Sequence, residues 1–153
     1  MSGPEARLAE LGLELPPVAA PVAVYVPAVR TGSHVHTSGQ LPISGGSLLA
    51  TGKVGAEVSP EDAYALARQA TLNALAAVRA ELGDLSSVTR VVKVVVFVAS
   101  APDFTGQPKV ANGASELLGA VFGDAGQHAR SAVGVAVLPL DAPVEVELVV
   151  ETG

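Results

Sequence analysis

A chain of 153 residues is long enough for one domain with one sizeable core, and the absence of cysteine excludes disulfides, thiol catalysis and thiolate metal sites. Its net charge of −6, with no cluster of Lys and Arg, counts against phosphate-driven nucleic-acid binding. Hydrophobic residues make up 49% of the chain and aromatic ones only 3%, so the core must be built from Val, Ala and Leu. Charged residues, at 16%, fall below the usual quarter, which suggests that some outward strand surface is buried in an oligomer.

The opening segment MSGPEARLAELGLELPP predicts a short amphipathic helix over residues 4–13, with Leu8 and Leu11 on one face and Pro16-Pro17 ending it. It contains no apolar core of signal-peptide length, and nothing later reaches membrane-spanning length. A cytoplasmic protein without membrane contact is the expectation. Residues 1–20 read as an N-terminal extension with a short helix and residues 21–153 as a single domain.

Two β-rich runs follow in VAVYVPAVRTGSHVHTSGQLP, joined by a turn at Arg30-Thr31-Gly32-Ser33 with Gly32 at a positive φ. The second run exits at Ser38-Gly39-Gln40, where a glycine permits close approach to the backbone. A short third strand is expected over residues 47–51. Ser59-Pro60-Glu61-Asp62 is a strong helix start: serine caps, proline fits the first turn, and the acids complement the helix dipole. That helix should run to about Leu82, stop at Gly83, and lie close on a sheet through Ala63, Ala67, Ala70, Ala74 and Ala77.

The run VTRVVKVVVFVA is the clearest strand. Strict alternation would put Val92, Val94, Val96 and Val98 on one face and Val91, Lys93, Val95 and Phe97 on the other. Both faces are largely apolar, so both should be covered. A second main helix is expected within residues 104–122, a buried strand over 133–138, and a last strand over 144–151. In the last, Val144, Val146, Leu148 and Val150 alternate with Glu145, Glu147 and Glu151. The order β-β-β-α-β-α-β-β predicts an α+β domain: a mixed sheet with the two main helices on one face.

Arg130 is the leading candidate for chemistry. Arginine stays charged and is rarely buried without a partner, so something anionic should face it. Either it bridges to Glu145 or Glu147 across a hairpin, or its planar fork grips a small carboxylate ligand. In the second case a nearby glutamate could activate water. His34 and His36 point the same way on one strand but lack a third ligand at telling spacing, so no metal site is expected. Tyr25 reads as a half-buried ring with a wet hydroxyl. No GxGxxG, P-loop or GxSxG pattern occurs.

Several separated stretches resemble the YjgF-type, or Rid (reactive intermediate deaminase), family. They are Tyr25 with PAVRTG, TSGQLP, ARQATLNALAAVRAELG, RVVKVVVFVASAPDF, ARSAVGVAVLP and VEVELV, together covering about residues 22–150. The resemblance implies a chorismate-mutase-like α+β fold assembled as a homotrimer with ligand clefts between subunits. It also implies hydrolysis of 2-imino and 2-enamino acids to 2-keto acids and ammonia, without cofactor or metal. By position, the family's essential arginine falls on Arg130, its catalytic glutamate on Glu145 and its site tyrosine on Tyr25. Its strand-end serine falls on Ser38, with Gly39 and the backbone around Ala132 lining the cleft.

There are departures from the family pattern. A cysteine often found two residues after the arginine is Ala132 here, and the usual Gly-Pro before the tyrosine is Ala23-Val24. The family's asparagine has no clear counterpart; Ser115 lies nearest, with Asn112 just upstream. These differences suggest a divergent subgroup. Two other functions compete: a non-catalytic binder of small carboxylates with the same fold, and an endoribonuclease, which the acidic composition disfavours.

Overall fold

The computed structural model describes residues 3–20 and 23–153. Val22, where the first β-rich run was expected to begin, lies outside the described residues.

Helix α1 (Pro4–Glu10) starts on a proline and ends earlier than its sequence pattern suggests. Gly12, at φ +72°, turns the chain, so Leu8 enters the core while Leu11 stays exposed. Arg7 Nη1 donates to the Val121 carbonyl (3.1 Å), one of the carbonyls left without an intrahelical partner at the end of a later helix.

Strands β1 (Ala28–Thr31) and β2 (His34–Thr37) form the expected hairpin, with Gly32 at φ +58°. The third strand is shorter than expected. β4 (Ser47–Leu48) pairs only with β3 (Ile43–Ser44), as a separate ribbon around Gly45 and Gly46, both at positive φ.

Helix α2 (Pro60–Leu82) begins and ends where its signals place it. The Ser59 hydroxyl accepts from the Asp62 N–H (3.1 Å), and Gly83 stops the helix at φ +85°. Its alanine stripe is fully buried. One neighbour on that stripe is helix α3 (Gln107–Phe122), whose Gly113 touches Ala67 and the Tyr64 carbonyl so closely that a Cβ would lie 2.1 Å from the oxygen.

The main sheet runs β1-β2-β7-β5-β6, where β5 is Val88–Ala99, β6 is Ala129–Val135 and β7 is Val144–Thr152. β5 and β6 are parallel, with α3 as the crossover between them, and the other pairings are antiparallel. The helices cover one face. Under them Val94, Val96, Val98, Val144, Val146, Leu148 and Val150 are buried almost completely, each contributing about 1.5–3 kcal/mol.

Two details of β5 and β6 differ from the sequence pattern. The β5–β7 register shifts between Val91 and Lys93, leaving Val92 as an extra residue. This bulge turns Val91 into the core and Val92 outward, the reverse of strict alternation. β6 begins at Ala129 rather than Val133 and ends at Val135. Its partner β5 stops at Ala99, so Val137 has no strand to pair with and is exposed.

The second face of the sheet has no helix on it. Val29 (53% exposed) and Val133 (43%) lie there beside the half-buried Val95 and Phe97. No helix among the described residues is long and apolar enough to cross a membrane.

Candidate functional site

The predicted site residues fall into two groups on opposite faces of the sheet. The first group forms where β2 ends. Gln40 pairs with Val146 through both backbone groups (2.8 and 2.9 Å), which sets Gly39 beside Glu145. The Glu145 carboxyl group lies directly over Gly39: a Cβ on residue 39 would be 2.7 Å from its Cδ. Only a glycine leaves that space without moving the carboxylate.

Ser38 fastens the same corner. Its N–H donates to the Pro27 carbonyl (2.7 Å) and its hydroxyl to the Val26 carbonyl (2.5 Å), which holds the segment carrying Tyr25. Tyr25, Gly39, Gln40 and Glu145 then line one cavity of about 80 Å³, with Ala19 and Ala20 of the N-terminal segment on its wall. Tyr25 is 45% exposed.

Glu145 is half-buried on the face without helices. Burial raises its pKa above the ordinary carboxylate value, and the negative charge of Glu147, two residues along the same face, raises it further. Among the described residues no cation pairs with it. A carboxylate with a raised proton affinity beside a cavity is suited to taking a proton from water and returning it.

The second group lies under helix α3. Arg130 pairs in register with Val94, a core residue, so its side chain rises on the helix face. Nη1 donates to Asn112 Oδ1 (2.8 Å) and to Ser115 Oγ (3.1 Å). Asn112 and Ser115 are three apart, hence on one side of α3. Asn112 and Ser115, the two residues nearest the place of the family's asparagine, both touch the arginine. Ala132, also on the helix face, packs its methyl group partly against the core. Its backbone lies on an edge strand of the sheet.

The salt-bridge reading of Arg130 is not borne out. It required β6 and β7 to form a hairpin, but β6 lies on the far side of β5 from β7. Glu145 pairs with Phe97 and Glu147 with Val95, on the opposite face from Arg130. The ion pairs among the described residues are Lys53–Asp141 and Arg79–Glu5. Arg130 is thus held by neutral oxygens only.

Sequence reasoning named Asn112 only as a neighbour of Ser115, and it passed over His128. Asn112 stands three residues before Ser115 on α3. His128, two before Arg130, bonds Ser115 from below, and only the strand register brings it there.

The sequence matches, over residues 5–152, the family described as "YjgF/chorismate_mutase-like, putative endoribonuclease". Protein TCP17 of Trypanosoma cruzi is 49% identical over 147 residues, covering 95% of this chain and 92% of that one. The crystal structure of Agrobacterium tumefaciens protein Atu1372 superposes with a TM-score of 0.92 at 47% identity, covering 98% of this chain and 92% of that one. The structure of E. coli TdcF with bound serine superposes with a TM-score of 0.64 at 26% identity, covering 91% of this chain and 94% of that one.

Proposed function

Because the chain belongs to the YjgF/chorismate-mutase-like family, we propose that it is a hydrolytic deaminase of 2-imino acids and their enamine tautomers. Products are the 2-keto acid and ammonia. The observation that carries this reading is the charge arrangement. Arg130 has only neutral partners, so its positive charge is available to a substrate carboxylate. Glu145 is desolvated and has no cation beside it, so it is suited to proton transfer. The serine bound in the related TdcF structure is itself a small carboxylate, in keeping with such a ligand.

The reaction needs only water. Arg130 holds the carboxylate and so fixes C2. Glu145 accepts a proton as water adds to C2. The same proton passes to nitrogen to give the carbinolamine; the hydroxyl proton then moves to nitrogen by way of Glu145, the C–N bond breaks with loss of ammonia, and the oxygen becomes the keto group. A 2-imino acid has its carboxylate bonded directly to C2, so it cannot reach from the helix face of β6 across β5 to Glu145. The site therefore takes Arg130 from one copy and Glu145, Tyr25, Ser38 and Gly39 from another. The apolar face around Val29, Val95, Phe97 and Val133 supports association as a homotrimer. Sedimentation should give about three times the 15.3 kDa chain mass; a 15.3 kDa particle would overturn the composite site.

The decisive assay generates the 2-imino acid in situ with a dehydratase and follows keto-acid release. The wild-type protein should accelerate it, and Glu145→Gln should lower kcat by roughly 100-fold with KM little changed. Binding of a keto acid without any acceleration would instead establish a non-catalytic carboxylate binder. For the endoribonuclease description attached to the family, the chain's net charge of −6 is unfavourable.

A further inference from the structure

His128 supplies the far end of a hydrogen-bond chain whose direction, for a neutral ring, follows from its carbonyl partner. Its Nδ1 lies 2.6 Å from the Gly126 carbonyl oxygen. A carbonyl only accepts, so Nδ1 carries a proton, and in the neutral ring Nε2 is then an acceptor. Ser115 Oγ lies 2.8 Å from Nε2, so the serine proton points at the ring. That orientation turns the serine lone pairs toward Arg130 Nη1. The chain runs Arg130 to Ser115 to His128 to Gly126, with each proton used once.

The consequence lies at the guanidinium. Nη1 has two hydrogens, and Asn112 and Ser115 accept them. Nε and Nη2 make no hydrogen bond among the described residues, so the Nε–Nη2 edge remains for a bidentate carboxylate. We propose that His128, acting through the Ser115 hydroxyl, is a positioning residue that fixes which edge of Arg130 meets the substrate. A neutral ring does this without adding the negative charge that an Asp or Glu in its place would bring against the arginine. This inference rests on the reading of Arg130 as the carboxylate holder.

The test uses the full chain, with pyruvate as the binding probe and the dehydratase-coupled assay for turnover. Ser115→Ala and His128→Phe should each raise KM and the pyruvate Kd about tenfold while kcat stays within about twofold, because the carboxylate contact is alike in ground and transition states. Since both residues belong to one chain, the double variant should be no worse than either single one. His128→Gln, which keeps an acceptor in reach of Ser115, should stay within about threefold of wild type.

Unchanged KM and Kd in the single variants would overturn the inference, as would effects that multiply to about 100-fold in the double variant. So would a His128→Gln variant as impaired as His128→Phe. If His128→Phe does not fold, Ser115→Ala and His128→Gln decide alone. Arg130→Ala separates the two levels. Lost pyruvate binding in Arg130→Ala with silent Ser115 and His128 variants would remove only this inference. Unaltered binding in Arg130→Ala would remove the carboxylate reading itself.

Discussion

The two halves of the candidate site are built by opposite means. Around Glu145 the construction is steric: a residue without a Cβ, a paired strand exit and a buried carboxylate. Around Arg130 it is polar: two oxygens from one helix and a histidine behind them. The difference shows how one sheet can carry a strong cation and a proton-hungry anion without letting them cancel. Side by side in one subunit they would form an ion pair, which would lower the proton affinity of Glu145 and occupy the fork of Arg130. With β5 between them and their side chains on opposite faces, neither charge neutralises the other within one subunit.

The largest expected effect breaks the polar half. Arg130→Ala removes a charge-assisted contact worth about 2–4 kcal/mol, which corresponds to roughly 30- to 1000-fold in kcat/KM. Arg130→Lys should recover only part of it, because an ammonium group cannot present a planar fork, nor satisfy Asn112 and Ser115 while also gripping a carboxylate with two parallel bonds. Full activity in Arg130→Ala, measured by keto-acid release, would sink the mechanism.

How far the sequence could foresee this contrast follows from where each signal resides. Helix α2 was legible because Ser59, Pro60 and Gly83 act within a few residues of themselves. The alternation of β7 was legible because its glutamates sit on the uncovered face and its apolar residues on the covered one. The inward turn of Val91 was not, since a bulge is defined against a partner strand. The position of β6 was hidden for a related reason: the α3 crossover, not the short loop to β7, decides its neighbour. The site followed the same rule. Arg130 stood out as a charge at the head of an apolar run and Glu145 was singled out among the β7 glutamates only by the family resemblance, whereas the Asn112–Ser115–His128 support exists only once a helix, a strand and a turn converge.

A smaller effect probes the steric half. In Gly39→Ala the new methyl group would meet Glu145 Cδ at 2.7 Å, so the carboxyl group must swing aside. Its stem is flexible and the move costs little folding energy, but the proton acceptor is then misplaced. Expected is a roughly tenfold fall in kcat with Tm nearly unchanged, since displacements on the order of 1 Å cost up to 10²-fold in rate. A kcat equal to wild type would show that the close approach at Gly39 does not hold the carboxylate for the reaction.

The smallest effect concerns stability, and it separates the two halves by sign. Truncating Arg130 strands the oxygens that hold it, whereas neutralising Glu145 should relieve a cost. The folded-state pKa of Glu145 is raised, first by burial and then by Glu147, so the folded chain holds that proton more tightly than the unfolded chain does. Above the raised value the group is ionised in both states, and folding bears the full cost of desolvating it. As pH falls through the raised value toward the ordinary carboxylate range, the folded state takes up the proton first and the cost disappears. Glu145→Gln has no such cost at any pH. At a fixed protein concentration it should therefore melt above wild type at neutral pH, and the gap should close on acidification. Glu147→Gln removes only the second of the two causes and should give a smaller gain with the same pH trend. A Glu145→Gln protein that melts below wild type at pH 7, or whose gain persists unchanged into acid, would mean that the carboxylate is stabilised in the fold rather than strained by it. The steric half would then be an ordinary anion site, and the contrast between the two halves would fail.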